Sequence, residues 1–209
     1  MLTMNWSIIN NAPVTIGYIA IMCSVLIVQA CTRHKIDNYI CAGTANFTQP
    51  NKFRFIISII ASTFAHSGIP HLTNNCIMLL LVLPAIEYRL GTSKTLELLA
   101  TLIILNGLIS DIYAKVTHRY GIGASGVVYS VILLSSIVNI SPGQIPITMI
   151  LVGGFYLGSE LFKEIKSYFD GNKDGINHGA HIIGGVIGGI IGLLMFNPEL
   201  TQQIQNYYN

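Results

Sequence analysis

The chain has 209 residues, 52% of them hydrophobic and only 10% charged, with a mean hydropathy of +0.60. Soluble domains carry about 25% charged residues, so composition excludes that class and indicates a polytopic membrane protein built as one compact bundle. A formal net charge of +2 offers no basic surface for nucleic acid, and the four cysteines show no metal-ligand spacing.

About 20 apolar residues cross a bilayer, and they do so as a helix because lipid leaves no partner for unpaired backbone groups. No Lys or Arg precedes Arg33, so no charged n-region and no cleavable leader is expected. The first predicted span runs from about Val14 to Ala30, after Pro13. A long first loop, Cys31 to Pro70, starts polar with Arg33, His34, Lys35, Asp37 and Asn38. It turns apolar from Phe53 to Phe64. That stretch is short and has Lys52 and Arg54 at its start, so it reads as an interfacial or re-entrant segment.

The second span, His71 to Tyr88, has an unusually polar beginning in His71, Thr73, Asn74 and Asn75. A turn from Arg89 to Lys94 leads into the third, Thr95 to Tyr113, and the following loop holds Lys115, His118 and Arg119. The fourth runs from Ser125 to Ile140, before Ser141-Pro142-Gly143. The fifth covers Ile145 to Leu161. A polar loop, Lys163 to Asn177, precedes the sixth, His178 to Phe196. The expectation is an all-α membrane bundle of six spans with a long first loop, one domain over 1–209 with its core at about 14–196. Cys23 and Cys76 fall in apolar runs as small core residues, whereas Cys31 and Cys41 would pair only if their loop faces an oxidising compartment.

Polar groups inside lipid are costly and mark candidate sites. His71 and Asn75 are four apart and share a helix face. Ser125, in Gly123-Ala124-Ser125-Gly126, stands where a loop becomes a helix, and helix N-termini favour a developing anion. His178 and His181 head the sixth span. Gly184, Gly188 and Gly192 recur every fourth residue on the face of His181, with Gly185 and Gly189 in a second row. Such rows mark close helix contact. If the first row meets the Gly126 side of the fourth helix, His181 comes within hydrogen-bond reach of Ser125. A serine hydroxyl needs such a base to become a nucleophile. The Ser125 N–H, the Asn75 amide and the His71 ring are suitable oxyanion donors. No aspartate lies in the apolar body of a span to orient His181, so a dyad is the simpler arrangement.

Plainer readings exist for each residue. Ser125 can be an N-cap, the glycines packing residues, Asn75 an interhelical hydrogen bond, and a single histidine a packing or proton-relay residue. His178 and His181 as a metal pair lack a third ligand of matching spacing, so no metal or cofactor is expected.

Together these elements resemble the rhomboid family of intramembrane serine proteases, over roughly Phe64 to Gly192. His71-Leu-Thr-Asn-Asn75 is similar to the H-x-x-x-N element, with Phe64-Ala65-His66 as its lead-in. Glu87-Tyr88-Arg89-Leu90-Gly91 resembles the E-x-R-x-G turn. Gly123 to Gly126 fits G-x-S-G, and Ala180-His181 to Gly188 fits A-H-x-x-G-x-x-x-G. The resemblance implies Ser125 as nucleophile and His181 as general base. It implies His71, Asn75 and the backbone of Ser125 and Ala124 as oxyanion support, and Tyr129 stacked on His181. Gly126, Gly184 and Gly188 would allow close helix contact. Glu87 and Arg89 would hold the turn, and His66 would be structural.

The implied partners are transmembrane-helix protein substrates in a lipid bilayer, and the implied setting is a bacterial inner membrane. Two features depart from the pattern. The family's Trp-Arg pair in the first loop has no match at its offset, Phe53-Arg54 being about four residues early, and His178 is an unusual neighbour for the base. The family orientation has cytoplasmic termini, yet Arg33, Lys35, Lys52, Arg54, Lys115, Arg119, Lys163, Lys166 and Lys173 fall on the opposite side, against only Arg89 and Lys94. The positive-inside rule argues for the reverse. The family orientation is retained, and a strong extracytoplasmic signal from a C-terminal reporter would overturn it. Gly153, Gly154 and Gly158 of the fifth helix and the segment Phe169-Asp170-Gly171 are candidate gates. Two rival readings remain: a non-catalytic rhomboid-like protein that escorts membrane clients, which usually lacks the serine and histidine, and a transporter whose flux would not need Ser125.

Overall fold

The structure, a computed structural model, describes residues 11–43, 52–117, 121–137, 147–170 and 178–196. Among these, the only pairing of strand type is an isolated antiparallel bridge between Ala42 and Gly121, and the named elements are helical. They are α1 (Pro13–Cys31), α2 (Asp37–Ile40), α3 (Lys52–Ala61), α4 (Ile69–Leu90), α5 (Thr92–Thr117) and α6 (Ser125–Ser135). After these come α7 (Ile147–Val152), a π-helical segment (Gly153–Leu157), α8 (Gly158–Asp170) and α9 (His178–Phe196). The chain is an all-α polytopic membrane bundle.

Four of these helices, α1, α4, α5 and α9, are long and apolar enough to cross a membrane. They match the first, second, third and sixth predicted spans to within a few residues. Helix α6 is apolar and mostly buried, but only 11 residues long. The predicted end of the fourth span, Ile140 with Ser141-Pro142-Gly143, lies outside the described residues.

The fifth span differs from expectation. Helical backbone continues unbroken from Ile147 to Asp170, so Lys163 to Asp170 is helix rather than loop. The reason is amphipathicity. Leu161, Phe162, Ile165 and Phe169 alternate with Glu160, Lys163, Glu164 and Lys166 at helical spacing, so the charges mark a polar face and not a helix end. Gly171 and Lys173, like His118 and Arg119, lie outside the described residues.

Helix α1 brackets α4 at both ends. At its N-terminus, buried Glu87 accepts the N–H groups of Val14 and Thr15 at 2.8 and 3.0 Å and the Thr15 hydroxyl at 3.0 Å. These are orphan donors at the positive end of a helix. The structural role implied for Glu87 extends beyond its own turn, since it caps a different helix, while Arg89 lies over the Phe196 ring at 5.4 Å. At the other end, Gln29 accepts the His66 N–H at 3.0 Å and donates to Asp37 at 2.8 Å.

The first loop is anchored without the Trp-Arg pair. Arg54 stacks over Tyr39 at 4.5 Å, and the Ala42–Gly121 bridge ties the loop to the segment that leads into Ser125. Its apolar part is the ten-residue helix α3. No disulfide joins Cys31, which is exposed, to Cys41, which is buried. Burial, and then the charge of Asp37, push the Cys41 thiol up to about 12. The core gathers Met22, Leu79, Leu83, Leu102, Val127, Val131 and Leu134 from α1, α4, α5 and α6.

Candidate active site

Gly123 precedes α6 with φ +116°, a conformation L side chains rarely adopt. A Cβ there would also meet the His71 ring at 2.6 Å. Its N–H donates to Ser62 O at 2.9 Å, which sets the angle at which the chain enters the helix. The N-cap position is Ala124, and no side chain caps the helix. Ser125 is the first helical residue, so the N-cap reading of this serine fails. Its hydroxyl goes elsewhere: Ser125 Oγ lies 2.7 Å from His181 Nε2.

Glycine makes that meeting possible. A Cβ at Gly184 would stand 2.6 Å from Gly126 O, and one at Gly188 would overlap the Ser130 backbone. The row of His181 thus faces α6, as its spacing predicts. The second row faces the π-helical segment, where a Cβ at Gly185 would meet Leu157 at 2.5 Å. A polar knot closes the contact. Ser130 Oγ lies 2.7 Å from Gly184 O and 2.9 Å from Gly126 O, and it accepts from Asn106 Nδ2 at 3.1 Å. The sequence reading missed Asn106 and Ser130, although both are polar residues within apolar spans. Tyr129, one turn after Ser125, stacks on His181 with centroids 4.9 Å apart and planes 12° from parallel.

The expected oxyanion donors line the same cavity, of about 640 Å³, with Ser125, Gly123, Tyr129 and His181. Apolar Met78, Val128 and Ile132 form part of its wall. His71 Nδ1 is 3.1 Å from Ser67 Oγ. Asn75 is held from behind, its Nδ2 donating to His66 Nε2 at 2.9 Å. The His66 Nδ1–H donates to Phe64 O at 3.1 Å, which leaves Nε2 bare as the acceptor. Burial and the neighbouring His71 lower His66 to about 4, so the ring is neutral near pH 7 and keeps that role. Ala124 is fully buried beneath the entry to α6.

One further residue was not foreseen. Glu160, on α8 and 2% exposed, places Oε2 2.6 Å from His181 Nδ1 and 2.7 Å from His178 Nδ1, while Oε1 accepts from Lys163 at 2.8 Å. The sequence expectation of a dyad considers only aspartates as the orienting acid, and this acid is a glutamate. The usable signal was an ionisable residue inside the predicted fifth span itself. His178, the unusual neighbour of the base, is buried with its Nδ1 on Glu160.

The ligand-type atoms of Glu160, His178 and His181 lie within 4.8 Å of one another, so the third ligand that spacing did not reveal exists in space. In the structure both histidines hydrogen-bond to the one carboxylate. Of the proposed gates, Gly153 and Gly154 open the π segment and Phe169 is exposed near the end of α8.

A family model described as Rhomboid domain matches residues 54–198, well over half of the chain. No curated protein matches it.

Proposed function

The chain belongs to the rhomboid family, whose members are generally intramembrane proteases, and from that premise we propose that it is a serine endopeptidase acting on transmembrane-helix proteins. The observation that carries the reading is the 2.7 Å contact of Ser125 Oγ with His181 Nε2 at the wall of a cavity that polar and apolar side chains line together.

In this reading His181 Nε2 takes the Ser125 proton as the oxygen attacks the scissile carbonyl carbon. The oxyanion so formed is met by His71, Asn75 and the first N–H groups of α6, which lack intrahelical partners. Collapse of the tetrahedral intermediate breaks the C–N bond, and the proton on Nε2 passes to the leaving amine. Water then hydrolyses the acyl-Ser125 ester by the same sequence of steps. A substrate helix hides its carbonyls in its own hydrogen bonds, so it must unwind before Ser125 can reach one. Small or helix-breaking residues near the cleavage point follow from that requirement. The bacterial inner membrane is the setting this reading assigns.

The test is cleavage of a fluorogenic transmembrane substrate in detergent, with phosphonate labelling of the protein. Wild type should cleave and take the label, whereas Ser125→Ala and His181→Ala should lose at least 10³-fold in rate. Equal cleavage by wild type and Ser125→Ala would remove Ser125 from the mechanism. A protein that folds but neither cleaves nor labels would favour a non-catalytic role in binding membrane clients.

A further inference from the structure

We propose that Glu160 is the positioning residue of the Ser125–His181 pair, so that the site works as a serine–histidine–glutamate triad rather than a dyad. The inference rests on the protease reading above and deepens it.

The argument begins with proton placement. A neutral imidazole carries one N–H, and the partner of that N–H decides which nitrogen is left bare. Glu160 is acceptor-only when ionised, and its Oε2 lies 2.6 Å from His181 Nδ1. The proton of His181 therefore belongs on Nδ1. Nε2 is left bare 2.7 Å from Ser125 Oγ, where a base is needed. When Nε2 accepts the Ser125 proton the ring becomes an imidazolium, and the carboxylate beside Nδ1 stabilises the new charge without taking the proton itself. That interaction grows as the reaction proceeds, which is the kind that lowers a barrier.

The surroundings fix the carboxylate as firmly as it fixes the ring. His178 Nδ1 donates to the same oxygen at 2.7 Å, and Lys163 holds Oε1 at 2.8 Å. Tyr129 stacks across the His181 face and limits its rotation. Glu160 is 2% exposed, so water competes little for it. An isolated ionised carboxylate in such a place would be costly, but this one has a complete set of donors. All three elements meet at one point, with Ser125 from α6, His181 from α9 and Glu160 from α8.

Two readouts test this. First, kcat and KM for substrate cleavage and the rate of Ser125 labelling are measured for Glu160→Gln and Glu160→Asp. Glu160→Gln, nearly isosteric but uncharged, should lower kcat and labelling by about 10²–10⁴-fold with KM within about threefold. Glu160→Asp should recover at least about tenfold of that loss, which a merely space-filling role would not produce. Second, nitrogen NMR of the protein carrying ¹⁵N-histidine reports the tautomer of His181 without any turnover. Wild type should carry the proton on Nδ1 alone, and Glu160→Ala should show a mixture.

A Glu160→Gln protein cleaving within threefold of wild type would overturn the proposal, as would a wild-type His181 protonated on Nε2. Failure of the protease reading looks different. Wild type and Ser125→Ala would then behave alike in cleavage and labelling, while the nitrogen spectra would still decide the role of Glu160.

Discussion

Glu87 caps α1 from a distance of more than seventy residues in sequence, and its replacement has a calculable cost. Among the described residues Oε1 accepts only the Val14 N–H, at 2.8 Å, while Oε2 accepts the Thr15 N–H and hydroxyl, both at 3.0 Å. In Glu87→Gln the carbonyl best replaces Oε2, and the NH₂ group then faces the Val14 N–H, donor against donor. One buried N–H left unsatisfied costs about 1–3 kcal/mol. Loss of the negative charge at a helix N-terminus adds about 0.3–2 kcal/mol. The expected loss for Glu87→Gln is therefore about 1–5 kcal/mol, and Glu87→Ala, which strands all three donors, should cost at least as much. Thr15→Val removes one of the three bonds, keeps the shape and should cost about 1 kcal/mol. The assay is equilibrium unfolding in mixed micelles at 25 °C, with the Thr15→Val and Glu87→Gln changes combined in a double-mutant cycle. Because Glu87 sits at the end of α4 remote from Ser125, the folded fraction of each variant should label at the wild-type rate. A Glu87→Gln protein within about 0.5 kcal/mol of wild type would refute the capping argument.

The two glycine rows of α9 should differ sharply. Gly188→Ala drives a methyl into the Ser130 backbone and should cost about 1–3 kcal/mol together with most Ser125 labelling, whereas Gly189→Ala, whose nearest neighbour is Met149 Cε at 3.9 Å, should stay within about 0.5 kcal/mol. His66 provides a pH test. An unfolded histidine protonates near 6.5, while the folded ring resists until about 4. As pH falls from 6.5 to 4 the unfolded state gains a proton the folded state refuses, so this residue's share of stability declines across that window and is flat above it. His66→Leu should flatten the unfolding midpoint between those limits. It should also slow Ser125 labelling about tenfold at pH 7.5 by freeing Asn75, and a midpoint with the wild-type acid dependence would refute the assignment.

Much of the architecture was legible because it follows from periodicity that lipid enforces. Apolar length located α1, α4, α5 and α9, and the four-residue glycine spacing foretold which face of α9 meets α6. Ser125 and His181 were legible as a pair only through that face. What escaped has a common cause. The cap by Glu87, the support of Asn75 by His66 and the Asn106–Ser130 knot are all contacts between helices distant in sequence. A residue's own neighbours say that it is polar and costly, but not which distant group satisfies it.

Glu160 shows the sharpest form of that limit. Its presentation depends on the π segment at Gly153–Leu157, which lies between Ile147 and the acid. A π turn closes its bonds to i+5 and inserts one residue into the helix. One residue turns an α-helix by about 100°, so everything C-terminal to the segment shows a different face from the one a regular 3.6 period assigns. A wheel drawn from the sequence would therefore place Glu160 about a quarter turn from where it stands. The acid could be seen as present in the sequence, but only the irregular turn before it aims it at His181.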